Sequence, residues 1–359
     1  MADKPTILIT GVSGNLGLRL LERLPDFQVL GVDLRPPATG AALTLFEKLD
    51  LAEERSCDRL LELMRAYRPD GVAHLAFSDG DLDRRRMWHT NVSGAGRVVE
   101  AITEHNRLLG GISKFIFAGA AAAYGPGWTK PFTEDAPLHA HTLPFAVDKK
   151  EADLTVQARA KNMKCRSYIL RLCMLGGAAV QNHWLDVLRG VPGGHGALGE
   201  WLRKRGTRLP VLLPSRGGVP ERKVQFVHLD DAAGLVAHIF RRTQADPQLN
   251  IFNVAGQGDP LSLEVCARIA GAEIRRLPGV SFCHMVFRLL RDCGISSVPP
   301  EALAYLLDPS VVDATRLRAF LGDEYRRVIQ HTCAEALAES FAPSPASAPA
   351  NRQFAHEKA

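Results

Sequence analysis

The sequence predicts an α/β protein with a doubly wound parallel sheet and a smaller C-terminal α/β part. Residues 6–10, Thr-Ile-Leu-Ile-Thr, form a short apolar run typical of a buried parallel strand. A glycine-rich turn and a helical apolar pattern follow it, and strand-like and helix-like segments then alternate. With 359 residues and 46% hydrophobic content, the chain can bury two domains or one large elaborated domain.

The glycine turn has the spacing of a dinucleotide-binding loop. Gly11 suits the tight turn, Gly14 lets a pyrophosphate approach the backbone, and Gly17 allows close helix–strand packing. Asn15 and Leu16 open the helix, whose first amides can donate to phosphate, so they join the predicted cofactor-binding residues. This order of strand, turn and helix predicts a Rossmann-type sheet. The alternative is a turn that only packs.

An acidic residue ends the second predicted strand, residues 28–33. The carboxylate of Asp33 can accept hydrogen bonds from the ribose hydroxyls of NAD, and it would repel the 2′-phosphate of NADP. Arg35 is close enough in sequence to accommodate that phosphate. The predicted cofactor is therefore NAD, with NADP less favoured.

The remaining segments predict the domain organisation. Further strands are expected near 44–49, 71–76, 113–118 and 165–171, with helices near 53–67, 84–107 and 145–162. A Rossmann domain is predicted over 1–175 and a mainly substrate-binding part over 176–341, some of whose segments return to the sheet. Residues 342–359 are rich in proline and small polar residues and predict a disordered tail.

Composition limits the expected cellular location and the expected binding partners. The net charge of +5 is spread among 39 acidic residues, so no nucleic-acid partner is expected. Seven cysteines without a Cys-x-x-Cys pair predict reduced thiols and no metal site. No signal segment and no apolar run of spanning length is seen, which predicts a cytoplasmic protein without an integral membrane segment. The expected partner is a small-molecule substrate, and a homodimer is left open.

An ordered set of short motifs between about residues 5 and 325 resembles the extended short-chain dehydrogenase/reductases, in their NAD-dependent epimerase/dehydratase group. The motifs are Thr10-Gly11-x-x-Gly14-x-x-Gly17, Asp33, Asp50-Leu51, His74-Leu75-Ala76, Asn91-Val92-x-Gly94, Ala123-Tyr124-Gly125, Lys149, Leu170-Arg171, Phe226-Val227-His228-x-Asp230-Asp231 and Asn253-Val254-Ala255-Gly256. Each motif alone occurs in many proteins, whereas the whole set in this order is specific to the family.

The resemblance implies further cofactor contacts. Asp50 and Leu51 would contact the adenine, and Leu75 and Ala76 would line the cofactor ribose region. Asn91 would organise the active-site helix, and Lys149 would bind the nicotinamide ribose hydroxyls. Asp50 could instead be a helix N-cap, since Glu53 follows it as in a capping box. Asn91 and Lys149 could instead be an internal polar residue and a solvated lysine of their helices.

Two positions depart from the family pattern. Phe145 stands four residues before Lys149, where the family has a catalytic tyrosine. Ala120 stands where the family has a serine or threonine that binds the substrate oxygen. Because general acid–base catalysis is worth about 10²–10⁴-fold, losing both hydroxyls should cripple ordinary alcohol oxidation.

Three explanations stay open: an enzyme with an altered proton relay, a cofactor-binding protein without catalysis, and an ordinary dehydrogenase inactivated by two substitutions. Candidates for a replacement acid or base are Tyr124, His139, His141, Asp148 and His74. Tyr124 follows the fifth strand and could instead be a packing residue. His139 and His141 precede the active-site helix and could instead be plain surface residues. Asp148 is expected to point away from Lys149 as a solvated acid, and His74 to line the cofactor pocket.

The substrate is predicted only as a class. Residues 181–222 combine basic and apolar side chains, namely Trp184, Trp201, Arg203, Lys204, Arg205, Arg208, Val211, Leu212, Leu213 and Arg216. The arginines could hold the diphosphate of a nucleotide sugar. The apolar members could form a lid over a hydrophobic alcohol or ketone, and a plain solvated basic loop is the third interpretation.

Overall fold

The computed structural model describes residues 4–37, 43–78, 83–127, 130–178, 180–215, 223–308 and 311–342. The strands are β1 Thr6–Thr10, β2 Gln28–Asp33, β3 Leu45–Lys48, β4 Gly71–His74, β5 Lys114–Ala120, β6 Arg166–Leu172, β7 Met174–Gly176, β8 Val211–Pro214, β9 Lys223–Val224, β10 Phe226–His228, β11 Leu249–Val254, β12 Leu261–Ser262 and β13 Ile274–Leu277. The helices are α1 Asn15–Leu21, α2 Ser56–Tyr67, α3 Arg84–Trp88, α4 Gly94–Leu108, α5 Pro144–Arg159, α6 His183–Arg189, α7 Ala197–Lys204, α8 Leu229–Arg241, α9 Leu263–Ala270, α10 Gly279–Asp292, α11 Ala302–Leu307, α12 Thr315–Leu321, α13 Tyr325–Val328 and α14 Cys333–Glu339.

Seven parallel strands form the central sheet, in the order β11-β6-β5-β4-β1-β2-β3. The order reverses between β1 and β4, so their carboxyl ends border the crevice where doubly wound sheets bind ligands. The predicted Rossmann-type architecture is confirmed.

Alternate side chains of each strand enter opposite cores. Ile7 and Ile9 of β1 belong to the core that covers one face of the sheet, whereas Leu8 belongs to the core on the other face. Ile116 and Phe117 of β5 divide in the same way. The near-continuous apolar runs in the sequence follow from this burial on both faces.

The chain beyond β6 makes three two-stranded sheets, β10 with β7, β12 with β9 and β13 with β8. β11 returns to the central sheet beside β6, as the sequence predicted for part of this segment. Most of the predicted tail, 343–359, lies outside the described residues, as does Arg216. No helix in the described ranges is long and apolar enough to cross a membrane.

Candidate functional site

The glycine turn joins β1 to α1 with little space for side chains. Gly11 has a φ of +76°, and a Cβ there would lie 2.4 Å from the backbone nitrogen of Ala76. A Cβ on Gly17 would lie 2.3 Å from the Gly11 carbonyl oxygen. At Gly14 it would meet only that oxygen, at 3.3 Å, so among the described residues the space beside Gly14 stays open. The turn therefore has a packed floor and an open front. Asn15 and Leu16 begin the helix behind it.

The end of β2 is tied to this turn. The Asp33 carboxylate accepts hydrogen bonds from the backbone N–H of Ser13 at 3.0 Å and of Leu34 at 2.7 Å. The Ser13 hydroxyl donates to the carbonyl of Arg35 at 2.6 Å. Asp33 is half-buried and Arg35 is exposed, and both are linked to Ser13 of the turn, while their roles toward the cofactor stay predictions.

The end of β4 forms the other wall of the crevice. Leu75 donates its backbone N–H to the carbonyl of Thr10 at 3.0 Å, and Leu75 and Ala76 are half-buried. The buried His74 ring pairs through Nδ1 with the Thr10 hydroxyl at 2.7 Å. Burial, with a smaller contribution from the charge of Lys149, lowers the pKa of His74 to about 3. His74 is therefore neutral at pH 7.

Asp50 and Leu51 lie just beyond β3. Asp50 accepts the backbone N–H of Ala52 at 2.8 Å and pairs with Arg86 at 3.0 Å. Helix α2 begins only at Ser56, so the alternative interpretation of Asp50 as its N-cap is wrong. Leu51 is buried, and its carbonyl accepts a hydrogen bond from Arg97 at 2.9 Å.

Asn91 clamps two segments of the site together. It lies in a π-helical turn, His89–Ser93, that joins α3 to α4, and its side chain is fully buried. Its amide bonds both the N–H and the carbonyl of Ser78, each at 2.8 Å, and donates to Asp148 at 3.0 Å. π-helical turns are frequent at functional sites. The predicted organising role of Asn91 has a direct geometric basis.

Asp148 is not the solvated acid that the sequence predicted. Its carboxylate is 0% exposed and forms a bidentate pair with the Arg84 guanidinium, at 2.5 and 2.9 Å. Arg84 starts α3, far away in sequence, and no local pattern indicated this pair. Because both oxygens are engaged, Asp148 serves to fix α5 rather than to move protons.

Lys149 faces the carboxyl edge of the sheet. Its Nζ donates to the carbonyl of Ala118 at 2.7 Å, and the residue is 7% exposed. The ammonium also lies 3.7 Å from the ring centroid of Phe77 and 5.7 Å from that of Phe117. The alternative of a solvated lysine is wrong. The ammonium instead sits in an aromatic, low-polarity corner.

One departure from the family pattern, Phe145, lies at this corner, and the other, Ala120, ends β5 two residues beyond the Lys149 partner Ala118. Phe145 packs edge-on against Phe77, with ring centroids 5.3 Å apart at 77°. Ala120 ends β5 and is 8% exposed. We call the group of Phe77, Ala120, Phe145 and Lys149 the reaction corner. The sequence did not single out Phe77, although it directly follows the predicted Leu75-Ala76 pair.

Tyr124 does not face the reaction corner, which corrects its prediction as a replacement acid. Its side chain is 0% exposed, and its hydroxyl donates to Asn253 at 2.7 Å and accepts from Arg171 at 2.8 Å. Burial is the main reason that the pKa of Tyr124 is raised to about 12. Arg171 in turn pairs with the buried Asp153 of α5 at 2.8 Å. Tyr124 thus belongs to a buried polar network behind the site.

The two loop histidines are exposed. Nδ1 of His141 lies 2.8 Å from the carbonyl of His139, just before α5 begins at Pro144. Their role as a proton relay stays a prediction.

The predicted substrate segment divides between core and surface. Trp184 packs against the core, and Val211–Leu213 lie in β8. Arg203 is held by the carbonyls of Pro192 and Gly194, at 2.5 and 2.6 Å. Trp201 and the basic residues Lys204, Arg205 and Arg208 are exposed.

One histidine–aspartate group among the described residues has ligand atoms close together, His228, Asp231 and His331. The two imidazole rings stack at 3.9 Å and 25°. Because a metal binds in the plane of each ring, nearly parallel stacked rings do not converge on one ion. Each ring also bonds an acid, His228 with Glu339 at 2.9 Å and His331 with Asp231 at 2.8 Å. These hydrogen bonds account for the cluster.

Two known proteins are similar to this chain in sequence. The chain is 28% identical over 187 residues to UDP-glucose 4-epimerase of Azospirillum brasilense, a match that spans 49% of this chain and only 51% of that relative. It is 25% identical over 288 residues to UDP-glucose 4-epimerase of Corynebacterium glutamicum, covering 75% of this chain and 81% of the relative.

Solved structures share the fold over nearly the whole chain. The UDP-glucose 4-epimerase of Thermus thermophilus in complex with NAD superposes with a TM-score of 0.63 at 18% identity, covering 94% of this chain and 97% of the other. The Bordetella bronchiseptica enzyme WbmG in complex with NAD and UDP gives 0.62 at 17% identity, covering 94% and 92%. Residues 7–255 match the sequence pattern of the NAD dependent epimerase/dehydratase family. The chain therefore belongs to the NAD-dependent epimerase/dehydratase family.

Proposed function

We propose that this protein binds NAD(H) at the glycine turn and carries out redox-based epimerase, dehydratase or dehydrogenase chemistry on a nucleotide sugar, with a proton path that bypasses residue 145. The observation that carries the proposal is the open space beside Gly14, in a turn where Gly11 and Gly17 are packed tightly against backbone atoms. A dinucleotide pyrophosphate needs this close approach to the backbone.

Side chains around the turn would hold the rest of the cofactor. Asp33 would accept hydrogen bonds from ribose hydroxyls and favour NAD over NADP, and Arg35 is placed to soften that preference. Asp50 and Leu51 would border the adenine, and Leu75 and Ala76 the ribose. When bound, NAD supplies a hydride acceptor. Lys149, held by Ala118, would bind the nicotinamide ribose and keep a positive charge beside the substrate oxygen.

The proton path must differ from the family's usual relay. Neither Phe145 nor Ala120 has a hydroxyl, and Tyr124 is occupied in the core. Lys149 is the ionisable group that the described structure keeps at the corner. A proton leaving the substrate hydroxyl would therefore pass to water that enters with the substrate, and the positive charge of Lys149 would stabilise the oxygen that loses the proton.

The substrate class is proposed from the relatives and from charge. UDP-glucose 4-epimerases are among the relatives, and one of the similar structures contains UDP. Exposed arginines of the segment 181–222 suit a diphosphate. A hydrophobic alcohol or ketone is the alternative, favoured by the aromatic lining of the reaction corner.

A second candidate function is NAD binding without turnover. It is favoured by Phe77, whose ring covers the Lys149 ammonium at 3.7 Å and packs against Phe145. In the third explanation, an ordinary dehydrogenase has lost two hydroxyls by substitution. For all three, the cytoplasm is the proposed location, which a chain with seven cysteines and no disulfide between them suits.

One experiment separates these functions. Small molecules that copurify with the full chain are identified by mass spectrometry. UDP-glucose and other UDP-sugars are then added, and both the sugar products and the absorbance at 340 nm are followed, because an epimerase or dehydratase returns the hydride to the sugar and leaves no net NADH. A new sugar product, or reduction of bound NAD, with wild type supports the altered relay. Neither signal with wild type, but either one with Phe145→Tyr with Ala120→Ser, supports lost catalysis. Absence of NAD binding contradicts the whole proposal.

A further inference from the structure

Helix α10 exposes an apolar stripe that the fold does not use. Phe282, Met285 and Leu289 are 39%, 56% and 59% exposed, and their spacing places them on one side of the helix. The opposite side is anchored by the buried side chains of Cys283 and Phe287. Because the buried side already attaches the helix to the protein, packing within the fold does not explain the apolar side chains on the outer side.

A basic stripe runs beside the apolar one. His284, Arg288 and Arg291 are exposed and lie on the adjoining sector of the same helix. Arg288 has no carboxylate within ion-pair distance among the described residues, and Arg291 reaches Glu301 only at 4.0 Å. The outer side of α10 therefore combines apolar side chains with the cationic Arg288 and Arg291, beside which the acidic Asp292 is also exposed.

Helix α7 lies beside the end of α10 and exposes apolar side chains of its own. A Cβ on Gly199 of α7 would lie 2.4 Å from the carbonyl oxygen of Gly294, just past the end of α10, so the two helices abut. Leu198 and Trp201 of α7 are 46% and 47% exposed. The Arg205 guanidinium lies 4.0 Å from the Trp201 ring. Tryptophan beside arginine is typical of side chains at a membrane–water interface.

We propose that the outer faces of α10 and α7 bind the surface of an anionic lipid bilayer. Apolar side chains would enter the headgroup boundary, and the arginines would pair with lipid phosphates, as in amphipathic helices that lie in the interface plane. Charge favours this occupant over a second copy of the chain. A two-fold symmetric dimer through this face would bring together two surfaces of like net charge, since the exposed cations Lys204, Arg205, Arg288 and Arg291 outnumber the exposed acids Glu200 and Asp292. Anionic headgroups would neutralise them.

Trp201 and Arg205 also lie in the segment 181–222, whose arginines are proposed to hold the substrate diphosphate, so the test variants change only residues of α10. The inference requires no spanning helix. A bilayer-bound enzyme would meet substrates that carry a lipid tail, but binding to the bilayer is the claim.

Vesicle co-sedimentation with the full chain tests the proposal. Vesicles are made of phosphatidylcholine alone or mixed with phosphatidylglycerol. The wild type should bind the mixed vesicles, and added salt should weaken that binding. Phe282→Ser with Met285→Ser and Leu289→Ser should lower the partition coefficient about tenfold or more, because three apolar side chains lose their burial. Arg288→Gln with Arg291→Gln should reduce binding to the level seen with neutral vesicles.

The matched control is Leu108→Ser with Leu109→Ser, which removes two leucines of 44% and 46% exposure elsewhere. The control should bind mixed vesicles like wild type, and NADH binding and circular dichroism verify that each variant is folded. Lack of vesicle binding by wild type, or equal loss in the control, would overturn the proposal. So would a wild-type dimer in sedimentation velocity that the triple variant dissociates, without vesicle binding, because the stripe would then be an interface between copies.

Discussion

The glycine turn and the reaction corner border the same crevice but depend on different parts of the chain. At the turn, the decisive feature is backbone without side chains, at Gly11, Gly14 and Gly17. At the reaction corner, chemistry would need hydroxyls, and the chain offers Phe145 and Ala120. The proposed cofactor binding and the proposed proton transfer therefore rest on different residues, which makes them open to separate tests.

Helix α5 contains both well-anchored residues and the substituted position 145. Asp148 and Asp153 are both buried and paired with arginines, Arg84 and Arg171, so the helix is held firmly from two sides. Lys149 between them keeps its place over Ala118. The frame that would position a catalytic tyrosine thus persists, while the tyrosine itself is a phenylalanine.

The largest expected effect concerns the network behind the corner. Arg171→Met leaves the Asp153 carboxylate buried without its partner, and removing one member of a buried pair costs about 3–5 kcal/mol of unfolding free energy. Arg159→Met is the control, since Arg159 pairs with Glu100 at the exposed surface and should lose no more than about 1 kcal/mol. Urea unfolding measures both. Equal losses would mean that the network does not support α5.

The next effect belongs to the glycine turn. Gly14→Val should keep the fold but weaken NADH binding about hundredfold, because the side chain occupies the open front that a pyrophosphate needs. Gly96→Ala on α4 is the control, as its Cβ would meet only a Thr155 methyl group at 3.9 Å. Fluorescence titration measures the affinity. Unchanged binding by Gly14→Val would show that the turn is not the cofactor site.

The pH dependence of the unfolding free energy tests the buried His74, which ends β4 between the glycine turn and the reaction corner. The pKa of His74 is about 3 in the folded protein against 6.5 for an unperturbed histidine, so the unfolded chain binds more protons below pH 6.5. Stability is therefore full above pH 6.5 and is lost as pH falls toward 3, by about 2 kcal/mol at pH 5. His74→Asn cannot titrate and should show a correspondingly smaller loss in unfolding free energy between pH 7 and 5. Parallel losses would contradict a neutral buried His74.

A smaller effect distinguishes two neighbouring lysines. Lys149→Ala should weaken NADH binding about tenfold, because a charged hydrogen bond to the ribose is lost. Lys150→Ala should change it little, since Lys150 points to Glu151, with which it pairs at 3.1 Å. The reverse order of affinities would place the wrong lysine at the cofactor.

Local sequence signals predicted the fold well. β1 and β2 have the predicted bounds, because an apolar run and a glycine turn are encoded by adjacent residues. Contacts between residues remote in sequence could not be predicted from local patterns. Asp148 was expected to point into solvent, and its pair with Arg84, 64 residues away in sequence, left no local signal. Tyr124 was a candidate at the substrate from its position after the fifth strand, and its hydrogen bond to Asn253 of β11 is equally remote in sequence. Phe77 was missed since its contact with Lys149 forms only when β4 and α5 meet.

The separation of cofactor binding from proton transfer is tested most directly by NADH affinity in two variants measured together. Phe145→Tyr with Ala120→Ser restores both hydroxyls at the reaction corner and should leave the dissociation constant within about twofold of wild type, whereas Gly14→Val should raise it about hundredfold. A strong change in the double variant, or retained affinity in Gly14→Val, would contradict the account, because the cofactor would then depend on the corner and not on the turn.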